Sequence, residues 1–195
     1  MNTLSRQRNA GFSLIEILVS LVVLVIGLLG FASLQVHANT AEMESYQRVQ
    51  ALILLQDITD RINANRKVAS CYVTPNPGGG SDYLGAGYTG TPVCTAGSAD
   101  QQARAVADLT DWNNALQGAA ENKTIDGSNV GAMIGARGCV VYDSTSQQYT
   151  ITVAWQGLSS TNAPPAALSC ASGLYGAEAK RRVVSNVIAI ADLTS

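Results

Sequence analysis

The chain has 195 residues, which is enough for one folded domain and an additional anchoring segment. Charged side chains make up only 13% of the residues, and the formal net charge is −2. A general role in binding nucleic acid is therefore disfavoured, because non-specific affinity for nucleic acids depends on clustered Lys and Arg.

The N-terminal residues combine a short basic start with a long apolar segment. Arg6 and Arg8 are the only charged residues before Phe12, and residues 12–34 carry a single charge, Glu16. As a helix, this segment would extend about 35 Å at ~1.5 Å per residue, enough to cross a hydrocarbon core of ~30 Å. The position of the two arginines predicts that the N-terminus is cytoplasmic and that the rest of the chain is exported.

Two ordinary kinds of segment share part of this pattern. A secretory signal has a shorter apolar core with a cleavage site behind it, and neither property is present here. A plain signal anchor has the right length, but a carboxylate costs up to about 2.5–3.5 kcal/mol at the centre of a membrane helix. Glu16 is therefore expected to have a partner and a function.

The motif GFSLIE at residues 11–16, followed by the apolar segment, resembles the N-terminal signal of type IV pilins and type II secretion pseudopilins. The resemblance implies that prepilin peptidase removes the leader, residues 1–11, by cleaving between Gly11 and Phe12, and that it methylates the new amino group of Phe12. It also implies that Glu16 is an assembly carboxylate, which pairs with the N-terminal ammonium group of a neighbouring subunit.

The helical pattern continues beyond the apolar segment. Residues 35–64 contain neither Pro nor Gly, and an apolar stripe recurs there at helical spacing: Ala51, Leu55, Ile58 and Ile62. Three further apolar side chains are expected to widen the stripe that covers a sheet, namely Val49, Leu52 and Ile53. We therefore predict one long helix over residues 12–64, half membrane anchor and half spine of the folded domain.

The four cysteines lie beyond the apolar segment, and none of them is part of a C-x-x-C pattern. An even number at wide spacing indicates two disulfides formed in an oxidising compartment. Of the three possible connectivities we predict the sequential one, Cys71–Cys94 and Cys139–Cys170, with each bridge contributing roughly 2–4 kcal/mol. Four free buried thiols are the alternative. A zinc site is disfavoured because the paired short spacings are absent, and no metal site is predicted.

The first part of the globular half contains a loop and a second helix. Turn-forming residues dominate positions 70–97, which predicts a long irregular loop closed by the first disulfide. Ser98 and Gln101 form a capping-box pattern. It predicts a helix that runs to about Gln117, ends at Gly118 and buries one face, made of Ala105, Leu109, Trp112 and Leu116.

After the second predicted helix, apolar and polar residues alternate with a period of two, which is typical of strands. Residues 139–142 form a short β-branched run, and alternation over residues 149–155 predicts a half-buried strand after a turn at residues 143–147. A loop over residues 158–176 and a last strand over residues 181–190 follow. The predicted fold class is α+β, a long N-terminal helix packed on a small antiparallel sheet, as in the pilin fold. We divide the chain into the leader (1–11), the transmembrane and assembly helix (12–34), the outer half of the helix (35–67) and the globular domain (68–195).

Scattered segments of the globular half resemble a family of minor pilins, the pilus modification proteins of the PilV type. These segments are residues 50–52, 60–65, 111–112, 135–139, 153–157 and 181–184. The resemblance implies a minor pilin that primes pilus assembly at or near the tip. Its partners would be other minor pilins, the major pilin, prepilin peptidase, the inner-membrane assembly platform and inner-membrane lipid, with no cofactor and no nucleic acid. A type II secretion pseudopilin, which shares the N-terminal half, is the alternative.

Two other functions are weaker on the same sequence. An enzyme would need His37, the only histidine, which lies just past the apolar segment, so no catalytic residue is predicted. Asp57 and Asp60 are more typical of a solvated helix face than of an acid–base pair. The basic cluster at residues 180–182 would suit a DNA-uptake or adhesive pilin, but it is more often a device that keeps a strand edge soluble.

Overall fold

The structure is a computed structural model that describes residues 13–74, 82–119, 131 and 133–190. Two helices, α1 (Leu14–Ala64) and α2 (Ala99–Leu116), accompany strands β1 (Leu84–Gly85), β2 (Ile134–Asp143), β3 (Gln148–Gln156) and β4 (Arg181–Ala189). Two short 3-10 helices span Arg66–Tyr72 and Glu178–Lys180. The sheet is antiparallel with the order β1-β2-β3-β4. The predicted fold class, a long N-terminal helix on a small antiparallel sheet, is confirmed, while the predicted cleavage site at Gly11–Phe12 lies outside the described residues.

The chain separates into two compact units at the boundary between Glu42 and Met43. In the first, which we call the apolar unit, the described residues form the first part of α1. Helix α1 is long and apolar enough to cross a membrane, as judged by length and composition. The second, which we call the globular unit, begins at Met43 and contains the rest of α1, α2 and the sheet.

The core of the globular unit lies between α1, α2 and one face of the sheet. The four predicted stripe residues of α1 are buried, as are the four predicted residues of α2. Both hydrogen bonds of the capping box are formed: the Ser98 hydroxyl accepts from the backbone amide of Gln101, and the Gln101 side chain accepts from the backbone amide of Ser98. Gly118 follows the end of α2 with a φ of 82°. Trp112 is fully buried, and its indole Nε1 donates to the carbonyl oxygen of Leu54 at 3.0 Å. This bond gives the buried N–H a partner and fixes α2 against α1.

The expectation that three further side chains widen the buried stripe of α1 is wrong. Val49, Leu52 and Ile53 remain 51%, 46% and 55% exposed. A helix turns by about 100° per residue, so these positions lie beyond the edges of the face that carries the buried stripe. The sheet and α2 cover only that one face.

The outer face of the sheet is more deeply covered than alternation predicted. In a half-buried strand with alternating side chains, Thr152 and Ala154 of β3 would face solvent, but both are buried. The reason is that the loop after β3 returns across the sheet and forms a second small core of Cys139, Ala154, Cys170, Ala171 and Tyr175. The hydroxyl of Tyr175 lies within hydrogen-bond distance of the carbonyl oxygens of Gly135 and Ala154, at 2.9 and 3.1 Å, and its single hydrogen is shared between them, which holds the loop against two strands.

Two disulfides close the loops of the globular unit. They join Cys71 to Cys94 and Cys139 to Cys170, which is the sequential pairing, with Cα–Cα distances of 5.0 and 5.8 Å. The first ties the segment after α1 to the segment before α2. The second attaches the returning loop to β2, and it therefore completes the second core covalently.

Within the basic cluster at residues 180–182, Arg181 does not keep the strand edge soluble, because it is buried. Arg181 is only 2% exposed, and its guanidinium donates to the Glu178 carboxylate at 2.7 Å and to the carbonyl oxygens of Leu168 and Cys170 at 2.6 and 3.2 Å. Buried carbonyl groups need donors, and Arg offers several in a fixed geometry. The side chain therefore serves the returning loop and presents no free charge to a ligand.

We expect Gln147→Gly to raise the free energy of unfolding by about 0.5–1 kcal/mol. Gln147 lies in the β2–β3 turn with a φ of 55°, a region that is strained for side chains with a Cβ and free for glycine. Chemical denaturation of the oxidised chain in detergent would measure the difference. Ser144→Gly, in the same exposed turn but without positive φ, is the matched control and should stabilise nothing. Equal effects of the two changes would contradict the expectation.

Candidate assembly surface

The described part of the apolar unit presents a continuous apolar surface. Its large aliphatic and aromatic side chains between Leu14 and Val36 are all at least half exposed. A soluble protein rarely leaves so large an apolar patch uncovered. Because α1 also has the length and composition of a membrane span, this surface is suited to contact with lipid.

Glu16 lies in the first turn of α1, where its side chain is exposed. The backbone amide of Glu16 donates to the carbonyl oxygen of Ser13 at 3.0 Å, which places Ser13 at the start of the helix. A carboxylate in a first helical turn interacts favourably with the helix dipole. The hydroxyl of Ser20 donates to the backbone oxygen of Glu16 at 2.7 Å, so that hydroxyl needs no partner from outside the helix.

One face of the apolar unit carries its carboxylate together with several small residues. At 100° per residue, Ser13, Glu16, Ser20, Gly27 and Gly30 fall within roughly 100° of arc, which they share with the larger Val23, Phe31 and Leu34. A Cβ added at either glycine would meet nothing within 4 Å. Small residues allow a second helix to approach closely in a membrane. A second helix could therefore approach closely at the two glycines of this face.

A second exposed apolar surface continues along α1 inside the globular unit. We call it the outer band, and it consists of Met43, Tyr46, Val49, Leu52 and Ile53. Further along, the outward positions become polar, at Gln56, Asp60 and Asn63. Within the globular unit, exposed apolar residues of α1 therefore occur as far as Ile53. Sequence analysis missed the outer band, although a second stripe at spacings of three and four was its signal.

The carboxylates of the α1–α2 contact are occupied by cations and hydroxyls. Asp108 is buried, and it accepts from Arg61 Nη1 at 3.0 Å, from Arg104 Nε at 3.3 Å and from the Tyr72 hydroxyl at 2.6 Å. Burial and the hydrogen bond to Asp108 raise the pKa of Tyr72. Burial alone would lower the pKa of Arg61, but its bonds to Asp57 and Asp108 outweigh that effect and raise it. This network joins the two helices.

The residues considered for catalysis are not brought together. His37 is exposed on α1 in the apolar unit, Asp57 pairs with Arg61 at 2.9 Å, and Asp60 accepts from Gln56 at 2.9 Å. Within the described ranges, no group of three His, Cys, Asp or Glu side chains could hold a metal ion.

Two family models match the N-terminal part of the chain. Residues 6–32 match the model of the prokaryotic N-terminal methylation motif, and residues 33–76 match the model described as type IV pilin Tt1218. No curated protein and no solved structure matches. The two matched stretches adjoin and contain the leader arginines, the GFSLIE motif, all of α1 and Cys71. Over these residues the chain is similar to type IV pilins.

Proposed function

We propose that this type IV pilin-like protein is a minor pilin, which is cleaved between Gly11 and Phe12, methylated at Phe12 and assembled with other pilins. The observation that carries the proposal is a single carboxylate, Glu16, on the small-residue face of an otherwise apolar and exposed helix. Families of this kind have a structural role, as pilins or pseudopilins, and the arrangement of the described residues fits such a role.

Cleavage of the bond between Gly11 and Phe12 couples processing to assembly. Removal of residues 1–11 takes away Arg6 and Arg8 and creates an ammonium group at Phe12. In the inner membrane, the mature helix would hold the globular unit on the periplasmic side. On transfer to a pilus, it exchanges lipid for the helices of neighbouring subunits, and Glu16 gains the ammonium group of a neighbour. Desolvation offsets much of the attraction of such a pair, so its main effect is to set the axial register of the helices.

The outer band extends this packing beyond the membrane segment. Because Val49 and Ile53 leave about half of their surface to solvent, neighbouring subunits can bury apolar area there when they assemble. The proposed partners are the major pilin and other minor pilins, together with prepilin peptidase and the inner-membrane assembly platform. The likeness to PilV-type minor pilins supports a place at or near the tip, where such a subunit would prime assembly.

Processing can be tested by the mass of the N-terminal peptide. In cells that contain prepilin peptidase, the native chain should yield an N-methylated peptide that begins at Phe12. Gly11→Val should leave the leader attached in most of the chains, because a branched side chain replaces the glycine at the cut. Ala10→Val is the matched control and should still be cut. A mature-sized Gly11→Val protein would rule out the proposed site.

The type II secretion pseudopilin remains the second candidate, because the N-terminal half serves both assemblies. Purified surface pili distinguish the two. The methyl-Phe12 peptide should be recovered from sheared pili, and deletion of the gene should reduce piliation. Normal piliation together with a defect in protein secretion would instead assign the chain to a pseudopilus.

A further inference from the structure

The segment after β3 lies on the surface of the globular unit as a strap. We define the strap as residues 158–168, which lead from β3 towards Cys170. Its side chains are exposed, apart from the half-buried Pro164 and Leu168, and none of them belongs to either buried core. Moving the strap would therefore uncover little apolar surface that is now buried.

The far end of the strap is held permanently. Cys170 is bonded to Cys139 on β2. Next to that bond, the buried guanidinium of Arg181 donates to the carbonyl oxygens of Leu168 and Cys170, at 2.6 and 3.2 Å. A covalent bond and a buried cation fix this end, so it can act as a hinge.

The near end is held mainly by a polar cluster, which we call the latch and which consists of Glu44, Ser159 and Arg182. The Glu44 carboxylate accepts from the amide and the hydroxyl of Ser159, at 2.9 and 2.7 Å, and from Arg182 Nη2 at 3.3 Å. Arg182 Nη2 also donates to the carbonyl oxygen of Ser159 at 2.7 Å. A single further bond, from the Thr161 amide to the Ala179 oxygen at 2.8 Å, supports this end.

The latch is accessible to water. The side chains of Glu44 and Arg182 are 25% and 16% exposed, so water can replace the bonds that hold Ser159. Burial would raise the pKa of Glu44, but the hydrogen bonds from Ser159 and the charge of Arg182 lower it on balance, so the carboxylate is charged near neutral pH. Gly157 leaves room for the guanidinium, because a Cβ there would lie 2.6 Å from its central carbon.

We propose that the strap is a conformational device that opens at Ser159, hinges at Cys170 and leaves the rest of the globular unit folded. Opening exposes the side chains of Glu44, the second residue of the globular unit, and of Arg182 on β4. The two charges that hold the strap closed then become available to charged groups of a neighbouring chain. The device depends on contacts within the globular unit alone, so it stands or falls independently of the proposed pilus function.

Hydrogen exchange of the full chain in detergent micelles tests the strap. In Glu44→Gln, the peptides that contain the Ser159 and Thr161 amides should exchange at least ten-fold faster than in the native chain. Peptides from β2 and from residues 172–173, where Glu178 holds the Gly173 amide at 2.6 Å, should not change. Glu42→Gln, an exposed carboxylate two residues earlier, is the matched control and should leave the strap unchanged.

A second pair of variants keeps the test independent of the charge change. Ser159→Ala removes one donor of the latch and should accelerate exchange in the strap about three-fold, whereas Ser160→Ala, next to it and exposed, should have no effect. The proposal is overturned if Glu44→Gln exchanges like Glu42→Gln. It is also overturned if β2 accelerates together with the strap, since the strap would then unfold only with the core.

Discussion

A Glu16→Gln variant should be cleaved and inserted into the membrane normally, but it should enter pili at least ten-fold less than the native chain. Glutamine keeps the size and the hydrogen-bonding atoms of the side chain and removes only its charge. In the assembled state, the N-terminal ammonium group of a neighbour would then remain in an apolar environment without its partner. Removing one member of a buried ion pair costs about 3–5 kcal/mol, and ~1.4 kcal/mol already corresponds to a factor of ten.

The ratio of methyl-Phe12 peptide in sheared pili to that in the membrane fraction measures this effect. Glu42→Gln makes the same chemical change at the end of the apolar unit and should not alter the ratio. Glu16→Asp, with a shorter carboxylate, should give an intermediate value. Equal incorporation of Glu16→Gln and Glu42→Gln would remove the carboxylate from the assembly mechanism, although the cleavage at Gly11 could still stand.

Asp108→Ala should lower the free energy of unfolding of the globular unit by about 2–4 kcal/mol. The carboxylate of Asp108 is 4% exposed, and it binds Arg61, Arg104 and the Tyr72 hydroxyl. Its removal would leave a buried hydroxyl without its acceptor and would weaken the contact between α1 and α2. The fluorescence of Trp112, buried in the same contact, would follow unfolding in denaturant.

The matched control for this prediction is Asp111→Ala, one turn along α2. Its carboxylate also lies close to Arg61, at 3.3 Å, but it is 64% exposed. An exposed ion pair contributes only about 0–1 kcal/mol, so this variant should remain close to the native stability. Asp108→Asn, which keeps an acceptor for Tyr72, should fall between the two. A difference of less than about 1 kcal/mol between Asp108→Ala and Asp111→Ala would show that burial does not decide the strength of this network.

Features that depend on a short stretch of sequence were predicted correctly. The end of α1 at Ala64, the capping box of α2 and the central apolar stripe of each helix follow from periodicity and local hydrogen bonding. The order of the two helices and of β2, β3 and β4 follows as well, because a change of period from 3.6 to two separates helices from strands. The short strand β1 was missed, since it lies within the predicted irregular loop over residues 70–97.

The burial of a residue was predicted less well where a segment distant along the chain covers it. Thr152 and Ala154 alternate with apolar residues, as in a half-exposed strand, but a loop that returns from outside the sheet covers them. Arg181 has the sequence context of an exposed basic cluster, yet it lies below the same loop and binds its carbonyl groups. In both cases the covering segment is distant along the chain, and its path has no local signature.

The sequence by itself indicated a similarity to type IV pilins, because the GFSLIE motif, the two arginines before it and the long apolar segment can be recognised without knowledge of the tertiary structure. It also indicated Glu16 as the group most in need of a partner, since one carboxylate in an apolar segment is conspicuous on energetic grounds alone. Only the tertiary structure showed that α1 keeps exposed apolar residues as far as Ile53 within the globular unit. It also showed that Asp108 joins two helices and that Glu44 binds the strap. These features depend on contacts between segments that are far apart along the chain, as between Glu44 and Arg182. Such contacts form only when the chain folds, so a local sequence pattern does not predict them.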